Sequence, residues 1–229
     1  MTSDSQWLAR LQEFLNHPAP AFLCTDCGQE ELPARYVAEL RHVGFAPASA
    51  EAMSLLAKMG VPDPDKVTAL VELHNGFHLY QQRTNHKSGL DAQIGEGIEV
   101  FPVEFWAEKT HECREEWIEH CGEDGEDAEL PYGPNDFLAI GHPRGSWNYF
   151  HWVTRGPCKG RVYWWPWTMP PEGPDEFFTE DFPLFICALY YDPVYVLNEV
   201  LCCYSRYADG ETETQWVPLR YAADQSEFA

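Results

Sequence analysis

The residues best placed by type and spacing to do chemistry are two thiols, Cys24 and Cys27, in the run Cys24-Thr25-Asp26-Cys27-Gly28. Two thiolates at that spacing share one metal ion in a tight turn and form half of a structural zinc site. The other half requires a second pair at comparable spacing. The available partners are His111 with Cys113, or His120 with Cys121, and both lie far along the chain on a segment with helical periodicity. No strand pattern precedes the motif, as a thioredoxin-like redox pair requires. The run His111-Glu112-Cys113-Arg114-Glu115 begins like a zinc-protease helix, but Glu115 stands where the second His is needed, so the pair reads as one turn of a solvated helix face. The chain has no Gly-x-Ser-x-Gly elbow and no phosphate-binding Gly-rich loop. The expectation is a protein without catalytic residues, metal or cofactor, the competing class being a metal- or thiol-dependent enzyme built on Cys24 and Cys27.

Binding chemistry is better represented. Tyr163-Trp164-Trp165-Pro166-Trp167 places Tyr163, Trp165 and Trp167 on one face of an extended segment and Val162 with Trp164 on the other. Core packing accounts for such a tract, and so does an aromatic anchor for a partner, with Trp165 and Trp167 as its candidates. Two acidic clusters complement it: Glu123, Asp124, Glu126, Asp127 and Glu129, then Glu172, Asp175, Glu176, Glu180 and Asp181. Over the whole chain 37 Asp and Glu face 15 Lys and Arg, a formal net charge of -22. Such a surface repels nucleic-acid phosphates and anionic headgroups and steers basic partners toward itself. The first twenty residues show no export-signal pattern, and the densest apolar run, Phe182 to Tyr191, is far shorter than the ~20 residues that span a bilayer. Eight Cys without a secretory context read as reduced thiols, which points to the cytoplasm.

The elements that must position these residues follow from periodicity and punctuation. Helices are predicted over residues 3 to 16, with Trp7, Leu8, Leu11, Phe14 and Leu15 on one face; over Pro33 to Val43, stopped by Gly44; over Ser49 to Met59, stopped by Gly60; and from Pro62-Asp63-Pro64-Asp65 to His74. Asn75-Gly76 ends that series. Strands are predicted over Phe77 to Gln81 and Ile98 to Val103, then a helix on which Trp106, Thr110, Cys113, Trp117 and Cys121 share one face. Three closely spaced strands follow, Phe137 to Ile140, Trp147 to Val153 and Arg161 to Trp165, and their short connections favour an antiparallel meander. In the middle strand Trp147, Tyr149, His151 and Val153 alternate with Asn148, Phe150 and Trp152, and with aromatics on both faces each is expected to be covered at least in part. A helical region over Asp181 to Tyr204 and an edge strand over Thr214 to Leu219, tolerant of Pro218, complete the reading. Helices first and a meander later define an α+β fold: N-terminal helices, a central, mostly antiparallel twisted sheet, and a C-terminal helix packed on it.

This order of features resembles the SUKH superfamily, which includes bacterial toxin-immunity proteins and fungal cell-wall-synthesis regulators. The matching stretches are Leu55-Leu56-Ala57-Lys58-Met59-Gly60-Val61-Pro62, Leu70-Val71-Glu72-Leu73-His74-Asn75-Gly76-Phe77, Phe137-Leu138-Ala139-Ile140-Gly141 with Trp147 to Val153, Gly160-Arg161-Val162-Tyr163, and Asp181-Phe182 to Leu189. Gly145-Ser146-Trp147 stands where the family usually has aspartates between its central strands. The resemblance covers residues 49 to 205; residues 1 to 48 read as an N-terminal helical extension and 206 to 229 as a C-terminal strand and tail. It implies a protein that acts by binding another protein, and with the charge it points to a basic toxin domain such as a nuclease. The alternative is a regulatory scaffold for an endogenous cellular partner.

Overall fold

A computed structural model describes residues 6–16, 21–25, 35–82, 97–121, 131–143, 149–165, 179–191, 196 and 215–218. Among the described residues five helices and eight strands alternate irregularly: α1 (Gln6–Asn16), β1 (Ala21–Thr25), β2 (Arg35–Gly44), α2 (Ala50–Met59), α3 (Pro64–Val71), β3 (Phe77–Gln82), β4 (Ile98–Val100), α4 (Val103–Cys121), β5 (Phe137–Pro143), β6 (Tyr149–Val153), β7 (Val162–Trp165), α5 (Phe182–Tyr191) and β8 (Gln215–Pro218). The strands form one sheet in the order β7-β6-β5-β4-β3-β2-β1-β8, and every neighbouring pair is antiparallel. The class is α+β. Pro218 lies on the edge strand β8, where a missing N–H is tolerated.

Local signals explain most boundaries. Ser49 caps α2 by accepting from Ala52 N at 3.2 Å, and Gly60 ends the helix in the left-handed conformation at φ 63°. Pro64 occupies the first turn of α3. The predicted helix over 33–43 is corrected to the strand β2. Tyr36, Val37, Leu40 and Val43 fit a helical spacing, but the run pairs with β1 on one edge and β3 on the other. Those distant partners decide it. The strand expected over 98–103 ends at Val100, because Pro102 and the cap on Val103 start α4. Of the helix expected over 181–204, the described residues hold α5 and the buried Val196.

The core fills both sides of the sheet. All five β6 residues, Tyr149 to Val153, are buried. On one side Phe150 and Trp152 pack on Phe185 and Phe182 of α5, with ring centroids 5.0 and 4.8 Å apart. On the other His151 lies flat on Phe137 at 3.8 Å and 8°. Trp106, Thr110, Cys113 and Trp117 form the buried stripe of α4, as the periodicity predicts. Thr110 both donates to Trp106 O and accepts from Ala139 N, fixing α4 to β5 at the irregularity in the β5–β6 pairing. The helix α1 closes the far end, where the Tyr190 hydroxyl donates to Trp7 O at 3.2 Å and Phe14 packs on Tyr190 at 5.5 Å.

Candidate functional site

The buried stripe of α4 leaves its opposite face to solvent, and that face is acidic. Glu104, Glu108, His111, Glu115 and Glu119 recur at helical spacing and are all exposed. Successive positions lie ~6 Å apart along the axis, so the row runs for ~22 Å. Basic side chains on the same helix are committed: Lys109 Nζ holds Glu112 at 2.7 Å, and Arg114 Nε donates to Pro134 O at 2.7 Å. His111 Nε2 is 3.5 Å from Glu115, both well exposed, as expected of a solvated turn rather than a metal site. Like charges this close at i, i+4 cost a few tenths of a kcal/mol per pair, which the buried stripe offsets. Of this face the sequence reading takes only the His111–Glu115 turn. The acidic row was legible in the same periodicity.

The row leads toward the first acidic cluster, but Glu123, Asp124, Glu126, Asp127 and Glu129 lie outside the described residues, as do Trp167, Glu172, Asp175 and Glu176. Trp165 is in β7, in register with Tyr149. Of the aromatic tract, Tyr163 is fully buried with its ring 4.9 Å from Tyr132, and Trp164 packs at the edge of the core. Glu180 is exposed beside α5. Asp181 has a role inside the fold, since its Oδ1 accepts from Leu184 N at 2.8 Å and its carbonyl from Phe185 N, which caps α5. Cys24 lies in β1, between two antiparallel neighbours, and Cys27 lies outside the described residues.

A second polar arrangement has no counterpart in the sequence reading. His78 on β3, Glu99 on β4 and His142 on β5 are directly opposite one another across three strands. The two imidazole Nε2 atoms stand 3.2 and 3.6 Å from opposite oxygens of the Glu99 carboxylate. Burial pushes that carboxyl up, but the hydrogen bonds and charges of His142 and His78 outweigh it and hold Glu99 down to about 2. Tyr149 stacks on His142 at 5.5 Å and 13°, and its buried phenol lies beside Glu112 of α4, so the ladder reaches the acidic helix. Among the described residues no group of three or more His, Cys, Asp or Glu side chains is arranged to hold a metal ion, and no helix is long and apolar enough to cross a membrane. Comparison with models of known families and with curated proteins finds no match.

Proposed function

We propose that this chain is a non-enzymatic protein-binding protein of the cytoplasm that neutralises a basic toxin domain, with a nuclease as the best-fitting case, by covering its active site. The observation that carries the reading is the exposed carboxylate row of α4, Glu104, Glu108, Glu115 and Glu119, on a chain of net charge -22. A nuclease keeps a positive groove to hold phosphates, and a rigid acidic helix on a strongly negative protein is steered onto such a groove and fits it electrostatically. The resemblance of residues 49 to 205 to the SUKH superfamily supports the same class of activity. Four elements carry that resemblance: the capped α2, Asn75-Gly76 at the entry to β3, the meander β5 to β7, and α5 with its Phe182 start.

The test is charge reversal on the solvent side of α4. Glu108→Lys, Glu115→Lys and Glu119→Lys together leave the buried stripe intact, and they are expected to slow association with a basic nuclease domain at least tenfold at low salt and to flatten its salt dependence. A second variant reversing Glu123, Asp124, Glu126 and Asp127 assigns the share of the first acidic cluster. Association kinetics unchanged in both variants contradict the reading.

A further inference from the structure

The ladder around Glu99 continues outward to an arginine, and donor and acceptor types fix its direction. Arg41 Nε, which donates and cannot accept, meets Gln81 Oε1 at 3.0 Å. The carbonyl end of the Gln81 amide is thereby assigned to Arg41, and its NH2 group is turned to His78 Nδ1 at 2.8 Å. A donor facing Nδ1 requires that nitrogen to be bare, so the proton of the neutral ring sits on Nε2. There Glu99 Oε1 faces it at 3.2 Å. The same tautomer excludes His78 Nε2 as a metal ligand, because coordination needs a lone pair there.

We propose that this chain of groups is a proton-operated switch, in which protonation of His78 inverts the Gln81 amide and releases Arg41 from the sheet face. A doubly protonated ring places an N–H at Nδ1 against the Gln81 NH2 group. Two donors cannot share that contact. Turning the amide over presents Oε1 to His78 and leaves its NH2 group facing Arg41, which has no acceptor to offer. The guanidinium, already exposed on β2, then loses its tether. The groups facing His78 are Glu99 from β4, Gln81 on its own strand with Arg41 of β2 beyond it, and the Phe45 ring at 4.7 Å. His142 stands on the far side of the same carboxylate. A proton on Nδ1 fits the Gln81 Oε1 and clashes with its NH2 group, which makes the amide the element with two positions.

The experiment is nitrogen-15 NMR of the histidine rings and of the Arg41 Nε–H in the full chain as a function of pH. Expected at neutral pH is a bare Nδ1 and protonated Nε2 on His78, and on acidification a change at Arg41 Nε–H that tracks the His78 titration. In Gln81→Glu, whose carboxylate accepts from both neighbours, His78 is expected to carry an Nδ1 proton at neutral pH and Arg41 to stop responding. A dispersed amide spectrum confirms that the variant is folded, and Gln81→Leu, with no group to invert, is a second variant in which the Arg41 response is expected to vanish. A wild-type ring protonated on Nδ1 at neutral pH overturns the proposal, and so does an Arg41 signal indifferent to the His78 titration. Stoichiometric zinc that shifts both the His78 and His142 rings also overturns it, since that requires a bare Nε2.

Discussion

Asn75 and Glu104 meet at 2.7 Å where the helical segment hands over to the sheet, the Asn75 amide donating to the carboxylate while its Oδ1 accepts from Val103 N at 3.0 Å. One buried side chain thus caps α4 and fixes its first acidic residue, two jobs that join the start of β3 to the helix proposed to meet the partner. Asn75→Ala leaves the Val103 N–H without its acceptor in a buried setting. It is expected to lower stability by about 1–3 kcal/mol in urea unfolding. Asn75→Asp, which keeps the acceptor but sets a carboxylate against Glu104, is expected to fall between the two and to improve as pH is lowered.

Gly76, the next residue, is bound by space as well as by conformation. Its φ is 91°, and a Cβ there stands 2.5 Å from Val100 O and 2.8 Å from Pro102 N, both backbone atoms. Gly76→Ala is expected to abolish folding or to cost several kcal/mol, since the obstructing atoms belong to β4 and the α4 entry. Gly156→Ala, at φ 74° with nothing within 4 Å of the added carbon, is the control. Its expected cost is about 1 kcal/mol, and thermal unfolding of the two variants separates steric from conformational cost.

Stability is expected to fall on mild acidification through two buried rings. Burial pushes His151 down to about 3 and His42 down to about 4, so both are neutral in the folded protein. In the unfolded chain they titrate near ~6.5. Between about pH 6.5 and 4 the unfolded state therefore binds more protons, and stability, full above that window, declines by up to about 1.4 kcal/mol per pH unit for each ring. His151→Phe keeps the stack on Phe137 and removes one ring's contribution to that slope. It also loses the hydrogen bond between His151 Nδ1 and the Tyr132 hydroxyl at 3.1 Å, at a pH-independent cost of about 1–3 kcal/mol. Unfolding free energies measured across pH 4 to 8 distinguish the two effects.

The contrast between α2 and β2 shows what was legible in the sequence. The ends of α2 are decided within a few residues, by the Ser49 hydroxyl and the left-handed Gly60, and the sequence reading places them correctly. The α4 stripe and the alternation in β6 are equally local. The strand β2 is decided by β1 and β3, and its own spacing permits a helix. The His78–Glu99–His142 ladder is less legible still, because it depends on the registers of two strand pairs, His78 with Glu99 and Glu99 with His142, separated by 20 and 42 residues of chain. No periodicity within one segment contains that information. Glu123, Asp124, Glu126, Asp127 and Glu129, with Trp167, Asp175 and Glu176, which the sequence reading favours as contact residues, lie outside the described residues.

The most direct test of a basic toxin domain as partner is capture from native lysate with the tagged full chain, run in parallel with the Glu108→Lys, Glu115→Lys, Glu119→Lys variant and followed by an enzymatic assay of what is recovered. Expected is one basic protein, held at low salt and released at high salt, depleted on the variant, and inhibited in its own activity by the wild-type chain. Recovery of a partner that the variant holds equally well, or one whose activity the wild-type chain leaves untouched, contradicts the account.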